Sequence, residues 1–165
     1  TRWLAPMLVF TMEEIWLARH PDAGSSIHLE DFADIPAEWH DDALAQKWSR
    51  VRAVRRVVTG ALEVERQEKR IGASLEAAPV VHVADPEVRE ILEGLPLADL
   101  CITSDLTVTD APAPEGAFTL PDISGVAVMS GPAAGDKCAR CWKILPDVGS
   151  HHHPGVCGRC NSALG

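Results

Sequence analysis

After Pro6, apolar residues Leu8, Met12, Ile15 and Trp16, followed by Arg19, recur three and four residues apart until His20-Pro21-Asp22-Ala23-Gly24 interrupts them. That spacing predicts a core-facing helix, because residues three and four apart share one face. Ser26-Ile27-His28-Leu29 reads as a short extended stretch before Ile35-Pro36. From about Ala37 to Arg70 a second helical pattern runs unbroken. Leu44, Trp48, Val51, Val54, Val58, Leu62 and Glu65 form one stripe of it, and Arg52, Arg56, Thr59, Glu63, Arg66 and Arg70 form another. One side packs and the other meets solvent or a ligand. Gly72 ends the pattern.

Beyond Pro79 the period shortens. Val80-Val81-His82-Val83 predicts a strand, Asp85-Pro86-Glu87 a capped helix start, and Val88, Ile91 and Leu92 the buried face of that helix. A second short helix is expected over Leu97 to Ile102, where Cys101 reads as a small buried apolar residue. Leu106-Thr107-Val108 and Val126-Ala127-Val128 predict further strands, on either side of the Pro- and Gly-bearing segment 111–116. These elements make a small α/β unit. Gly131-Pro132-Ala133-Ala134-Gly135 reads as a hinge into the last thirty residues.

Composition narrows the class. At 165 residues, 46% apolar and 24% charged, the chain lies in the globular range. It starts at Thr1 with the apolar pattern already running, as expected of a piece of a longer polypeptide. The dense apolar stretch Leu4 to Phe10 is far short of the roughly 20 residues a membrane helix needs, and no leader is recognisable, so neither membrane nor export is expected. Cytoplasm is the expected location. A net charge of -9 argues against diffuse binding to nucleic acid. Yet eight of the fifteen Lys and Arg residues lie between Lys47 and Arg70, so a polyanion would meet a local basic patch. The plainer reading is a solvated face offset by Glu63, Glu65 and Glu68.

The sharpest signal is the pair of motifs Cys138-Ala139-Arg140-Cys141 and Cys157-Gly158-Arg159-Cys160, with fifteen residues between them. Two intervening residues let both thiolates of a tight turn face one metal, and the longer loop lets the second turn complete a tetrahedron. Four thiolates leave no position for water, so one structural Zn2+ is expected and no catalysis at it. A segment this short buries little core, so the metal should fold it. A redox thiol pair or a disulfide is the alternative. His151-His152-His153 in the intervening loop is either loop or a replacement ligand. Around the centre, Lys137, Arg140, Lys143 and Arg159 add positive charge, and Trp142 follows a cysteine directly. An exposed ring beside cations suits stacking on an unpaired base with phosphate contact; otherwise Trp142 covers the core of the ribbon.

Several motifs together resemble the C-terminal end of bacterial isoleucyl-tRNA synthetases. They are Leu4-Ala5-Pro6 through Phe10-Thr11-Met12-Glu13-Glu14-Ile15-Trp16, then Ser26-Ile27-His28-Leu29, the run RQEKRIGASLEA from Arg66 to Ala77, Gly135 to Trp142, and Cys157 to Cys160. The resemblance implies an α+β chain in three parts. Residues 1–71 would be the latter part of a helical anticodon-binding domain, 72–130 a small α/β connecting region, and 131–165 a ribbon-like module with Cys138, Cys141, Cys157 and Cys160 on zinc. The parent family joins isoleucine to its tRNA using ATP, and its nucleotide signatures, reading HIGH and KMSKS, are absent here, as is the editing domain. ATP and Mg2+ would therefore belong to a missing catalytic domain, and this piece would be non-catalytic. The implied partners are isoleucine-accepting tRNA and the remainder of the parent synthetase, in a monomer with no membrane contact. Candidate tRNA contacts are Arg52, Arg56, Arg66, Arg70, Arg140, Trp142, Lys143 and Arg159. Two other readings stand beside this one: a zinc module that packs on the synthetase body without touching RNA, and a non-catalytic synthetase-like paralogue.

Overall fold

A computed structural model describes residues 1–165. They form two compact units, Thr1–Asp42 and Ala43–Gly165.

In the first unit, helix α1 spans Val9–Arg19. Its Met12 packs with Ala5, Ile27 and Trp16 into a small cluster. Only Met12 of the predicted stripe is buried; Leu8 and Ile15 each remain 47% exposed, because this short unit supplies too little chain to cover them. Ser26 to Leu29 is not extended. It closes a 3-10 turn over Ile27–Leu29, since Ser26 Oγ accepts from the His28 amide at 3.2 Å and the Glu13 carboxylate accepts from the Ile27 amide at 2.9 Å. Side chains that satisfy backbone donors locally favour a turn over a strand. The long helix predicted from Ala37 is likewise divided, with a 3-10 turn at Ala37–Trp39 before α2 begins at Asp42.

The second unit is built on α2, Asp42–Gln67, whose Val51, Val54, Val57, Val58, Ala61 and Leu62 are buried. They share one core with a four-stranded sheet of β1 (Val80–Val83), β2 (Thr107–Thr109), β3 (Phe118–Leu120) and β4 (Ile123–Met129), ordered β2-β1-β4-β3. β1 and β2 run parallel, which requires a crossover; α3 (Pro86–Leu92) and α4 (Leu97–Cys101) supply it. The Asp85 side chain caps α3 at the Glu87 amide, 2.9 Å, with Pro86 in the first turn. β3 and β4 form an antiparallel hairpin. Phe118 of β3 lies so close to α2 that a Cβ on Gly60 would come within 2.7 Å of its ring.

The last segment forms a hairpin, β5 (Asp136–Lys137) with β6 (Ile144–Leu145), and then α5 (Gly158–Leu164). The segment read as a hinge is pinned instead. Gly131 O accepts from the Ala78 amide and Glu76 O from the Ala133 amide, both at 2.8 Å, around a bridge between Ala77 and Pro132. Backbone donors that pair between two segments in this way hold the entry to the hairpin against the sheet. No helix is long and apolar enough to cross a membrane.

Candidate metal centre and basic surface

The two Cys-x-x-Cys turns meet at one point: the four sulfurs lie within 4.8 Å of one another. The first turn is closed by the Cys138 amide donating to Lys143 O at 2.8 Å and the Trp142 amide donating to Cys138 O at 2.9 Å. The second begins α5, with Cys157 at its N-cap position, and the Ala139 amide joins the two turns through Gly155 O at 2.9 Å. Cys138, Cys157 and Cys160 are buried, and Cys141 is partly so.

This donor set fits zinc. Four Zn–S bonds of about 2.3 Å in a tetrahedron put the sulfurs about 3.8 Å apart. Cys141 Sγ and Cys157 Sγ are 3.8 Å apart. The thiols also need a cation if they are to ionise together. Burial works against ionisation at Cys138, but amides of Cys141, Cys157 and Arg140 outweigh it and bring the thiol down to about 6. Burial, with crowding by the other thiols, pushes Cys141 up to about 12 and raises Cys157. One thiolate forms readily and the rest resist, so a divalent ion is what would hold four.

The module has almost no other core. Val156 is buried with the cysteines, and Leu145 and Val148 pack partly against them. The histidines stay outside the cluster: His151 Nε2 lies 3.0 Å from Asp147 Oδ2, and that same oxygen accepts from the Gly158 amide at 2.8 Å, tying the loop to the start of α5. Cys101 lies apart from the centre in the main core, where burial raises its thiol.

The basic candidates do not converge. Arg52 is exposed on α2, and Arg56 one turn on reaches Asp122 at 2.9 Å. Arg66 makes a two-point contact with Glu63 on α2, and Arg70, beyond the helix end at Gln67 rather than on it as the pattern predicted, makes one back to Glu65, so these two are largely neutralised. Lys143 and Arg159 both face Asp99, at 2.5 Å and 3.4 Å. Arg140 is exposed, with its Nη1 3.7 Å from Cys160 Sγ. Trp142 is 63% exposed, and its backbone φ of 67° turns it out of the first zinc turn. Lys137 Nζ sits over its ring at 5.8 Å from the centroid, a cation-π distance. Trp142 therefore does not cover the ribbon core.

Sequence reasoning missed Asp99, Ser104 and Asp147. Each reaches a residue between 11 and 60 positions away, a contact the local pattern does not signal.

Residues 1–82 match the anticodon-binding domain of tRNA ligase, and residues 135–163 match the zinc finger found in FPG and IleRS. In chain order, the two segments are similar to these families: an anticodon-binding portion followed by a zinc finger. Over its length the chain is similar to isoleucine–tRNA ligases. It is 61% identical to that of Ruegeria pomeroyi over 165 residues, 61% to that of Brucella abortus across 99% of the chain, and 53% to that of Bartonella henselae across 98%. The chain spans 17% of the length of these relatives. With the zinc-finger match and the clustered thiols, the cofactor is a structural zinc ion.

Proposed function

We propose that this chain is the tRNA-binding C-terminal portion of an isoleucine–tRNA ligase. It holds the anticodon end of isoleucine-accepting tRNA while a catalytic domain elsewhere in the parent enzyme uses ATP and Mg2+ to attach isoleucine. Residues 1–71 serve as the end of the helical anticodon-binding domain, 72–130 as the connecting region and 131–165 as the zinc module; this functional division cuts across the compact units, since α2 packs on the sheet. Cys138, Cys141, Cys157 and Cys160 are the zinc ligands, the site is structural, and the chain acts as a monomer without chemistry of its own.

The observation that carries this reading is Trp142, exposed on a rigid metal turn with Lys137 across its face. An indole offers a stacking surface for an unpaired base, and the ammonium can meet the adjoining phosphate. Arg52 on α2 adds an exposed cation. Arg56, Arg66, Arg70, Lys143 and Arg159 can join only by leaving carboxylate partners, and Arg140 by leaving Cys160.

A second reading, a zinc module that packs on the protein body without RNA contact, draws support from the double pairing of Lys143 and Arg159 with Asp99. Titration with fluorescent isoleucine tRNA against a non-cognate tRNA at fixed salt separates the two. The comparison protein carries Lys137→Ala/Trp142→Ala, because Arg140→Ala would also disturb a cysteine. Preferential cognate binding, weakened by the double substitution, supports recognition by the tail. Cognate binding indifferent to it moves recognition to α2 and favours the second reading for the module.

A further inference from the structure

We propose that the α/β part of the second unit clamps the zinc module from outside the metal at two points, Asp99 and Ser104, and that this clamp sets how firmly zinc is retained. The inference does not depend on RNA contact.

Asp99 lies on α4, and its two carboxylate oxygens divide between the two halves of the centre. Oδ1 is 2.5 Å from Lys143 Nζ, two residues after Cys141, and Oδ2 is 3.4 Å from Arg159 Nη1, next to Cys160. One anion thus draws both Cys-x-x-Cys turns together. Lys143 is largely buried along its stem, with a side chain 17% exposed, so its ammonium has little freedom to pair elsewhere.

Ser104 acts on the first turn alone. It is buried, its hydroxyl donates to Leu75 O, and the same oxygen accepts from the Ile144 amide at 2.6 Å. Ile144 opens β6, immediately after Lys143, whose carbonyl closes the turn at Cys138. A hydroxyl can donate to a carbonyl and accept from an amide at once; a methyl can do neither, and both backbone groups would be left unpaired.

The module's own core is three cysteines, one valine and a few half-buried neighbours. Its closed shape therefore rests on the metal and on what lies outside it, and outer-sphere partners of metal ligands commonly control affinity by about 10- to 100-fold. Coupling of this kind is reciprocal: the order that the clamp lends the metal turns, the metal lends back to α4 and the Leu75–Ser104–Ile144 junction.

The test is transfer of zinc from the full chain to an excess of chelating dye, followed by absorbance. Asp99→Ala and Ser104→Ala are expected to speed transfer about tenfold or more. Glu93→Ala, an exposed acid outside the clamp, should leave it unchanged. Asp99→Ala with Lys143→Ala should transfer more slowly than the product of the single effects would give, because both remove one interaction. Wild-type transfer rates in folded Asp99→Ala and Ser104→Ala overturn the proposal. Should Ser104→Ala not fold, hydrogen exchange in the unaltered chain decides. Stripping zinc is expected to speed exchange at the Ile144 and Ser104 amides and across Leu97–Cys101 at least tenfold, and unchanged protection at Ser104 and α4 overturns the clamp.

Discussion

The ammonium of Lys137 lies 5.8 Å from the centre of the Trp142 ring, across the mouth of the first zinc turn, and Trp142 is 63% exposed. Base–aromatic stacking is worth about 1–3 kcal/mol per base. Trp142→Ala is therefore expected to weaken cognate tRNA binding by about 5- to 150-fold while leaving thermal unfolding nearly unchanged. Binding by fluorescence and unfolding by circular dichroism, measured on the same samples, check both halves.

Zinc removal should act on one end of the chain. The main core joins α2 to the sheet through residues such as Val57, Val58, Val81 and Val128, all fully or almost fully buried, and contains no metal ligand. Chelation, or Cys138→Ser, is expected to collapse the amide dispersion of residues 136–164 in solution spectra and to leave the α2 and sheet resonances dispersed. Loss of the whole spectrum would place the metal in control of the complete unit.

Gly60 reverses the ordinary effect of a helix glycine. Replacing an internal helix glycine by alanine usually stabilises by up to about 1 kcal/mol. Here the new methyl would come within 2.7 Å of the Phe118 ring. Gly60→Ala should destabilise by about 1–3 kcal/mol, the range for overpacking. Adding Phe118→Leu should recover part of the loss, and denaturant unfolding of the three proteins reads it directly.

At Gly135 the constraint is backbone on backbone. Its φ is +115°, and a Cβ there would lie 2.3 Å from the Leu145 carbonyl group. Gly135→Ala should open the β5–β6 hairpin and lower zinc retention more than Gly131→Ala, where a Cβ would meet nothing within 4 Å. Chelator competition on the two variants measures the difference.

The hydrogen-bonded contact with Arg70 holds the Glu65 carboxyl below its usual value of 4.5, outweighing the effect of burial. A lowered folded-state value means that the stabilisation is fully present above the unfolded carboxyl's pKa and fades as pH falls through the folded one. The stability gap between the protein and Glu65→Gln should be constant near neutrality and shrink below about pH 4.5. Urea unfolding at pH 7 and at successively lower pH follows it; a gap that does not close in acid would remove the ion pair as its cause.

Periodicity and spacing determined much on their own. The stripe Val51, Val54, Val58 and Leu62 announced the buried face of α2, Val80–Val83 announced β1, and Asp85-Pro86 announced the start of α3, because each is a local pattern with a local cause. The four cysteines declared their metal through chemistry that few other arrangements share. What only the tertiary structure decided depends on neighbours distant in the chain. Ser26–Leu29 turns because Glu13 reaches the Ile27 amide and the Ser26 hydroxyl, the Gly131–Gly135 segment is pinned because Glu76 and Ala78 face it, and β3 forms because β4 follows to pair with it. The same holds for charge. Arg52 and Arg159 look alike in sequence, but one is an exposed helix cation while the other faces a carboxylate sixty residues away. A charge is available to a partner only if no nearer one has taken it, and that is settled by distance in space rather than along the chain.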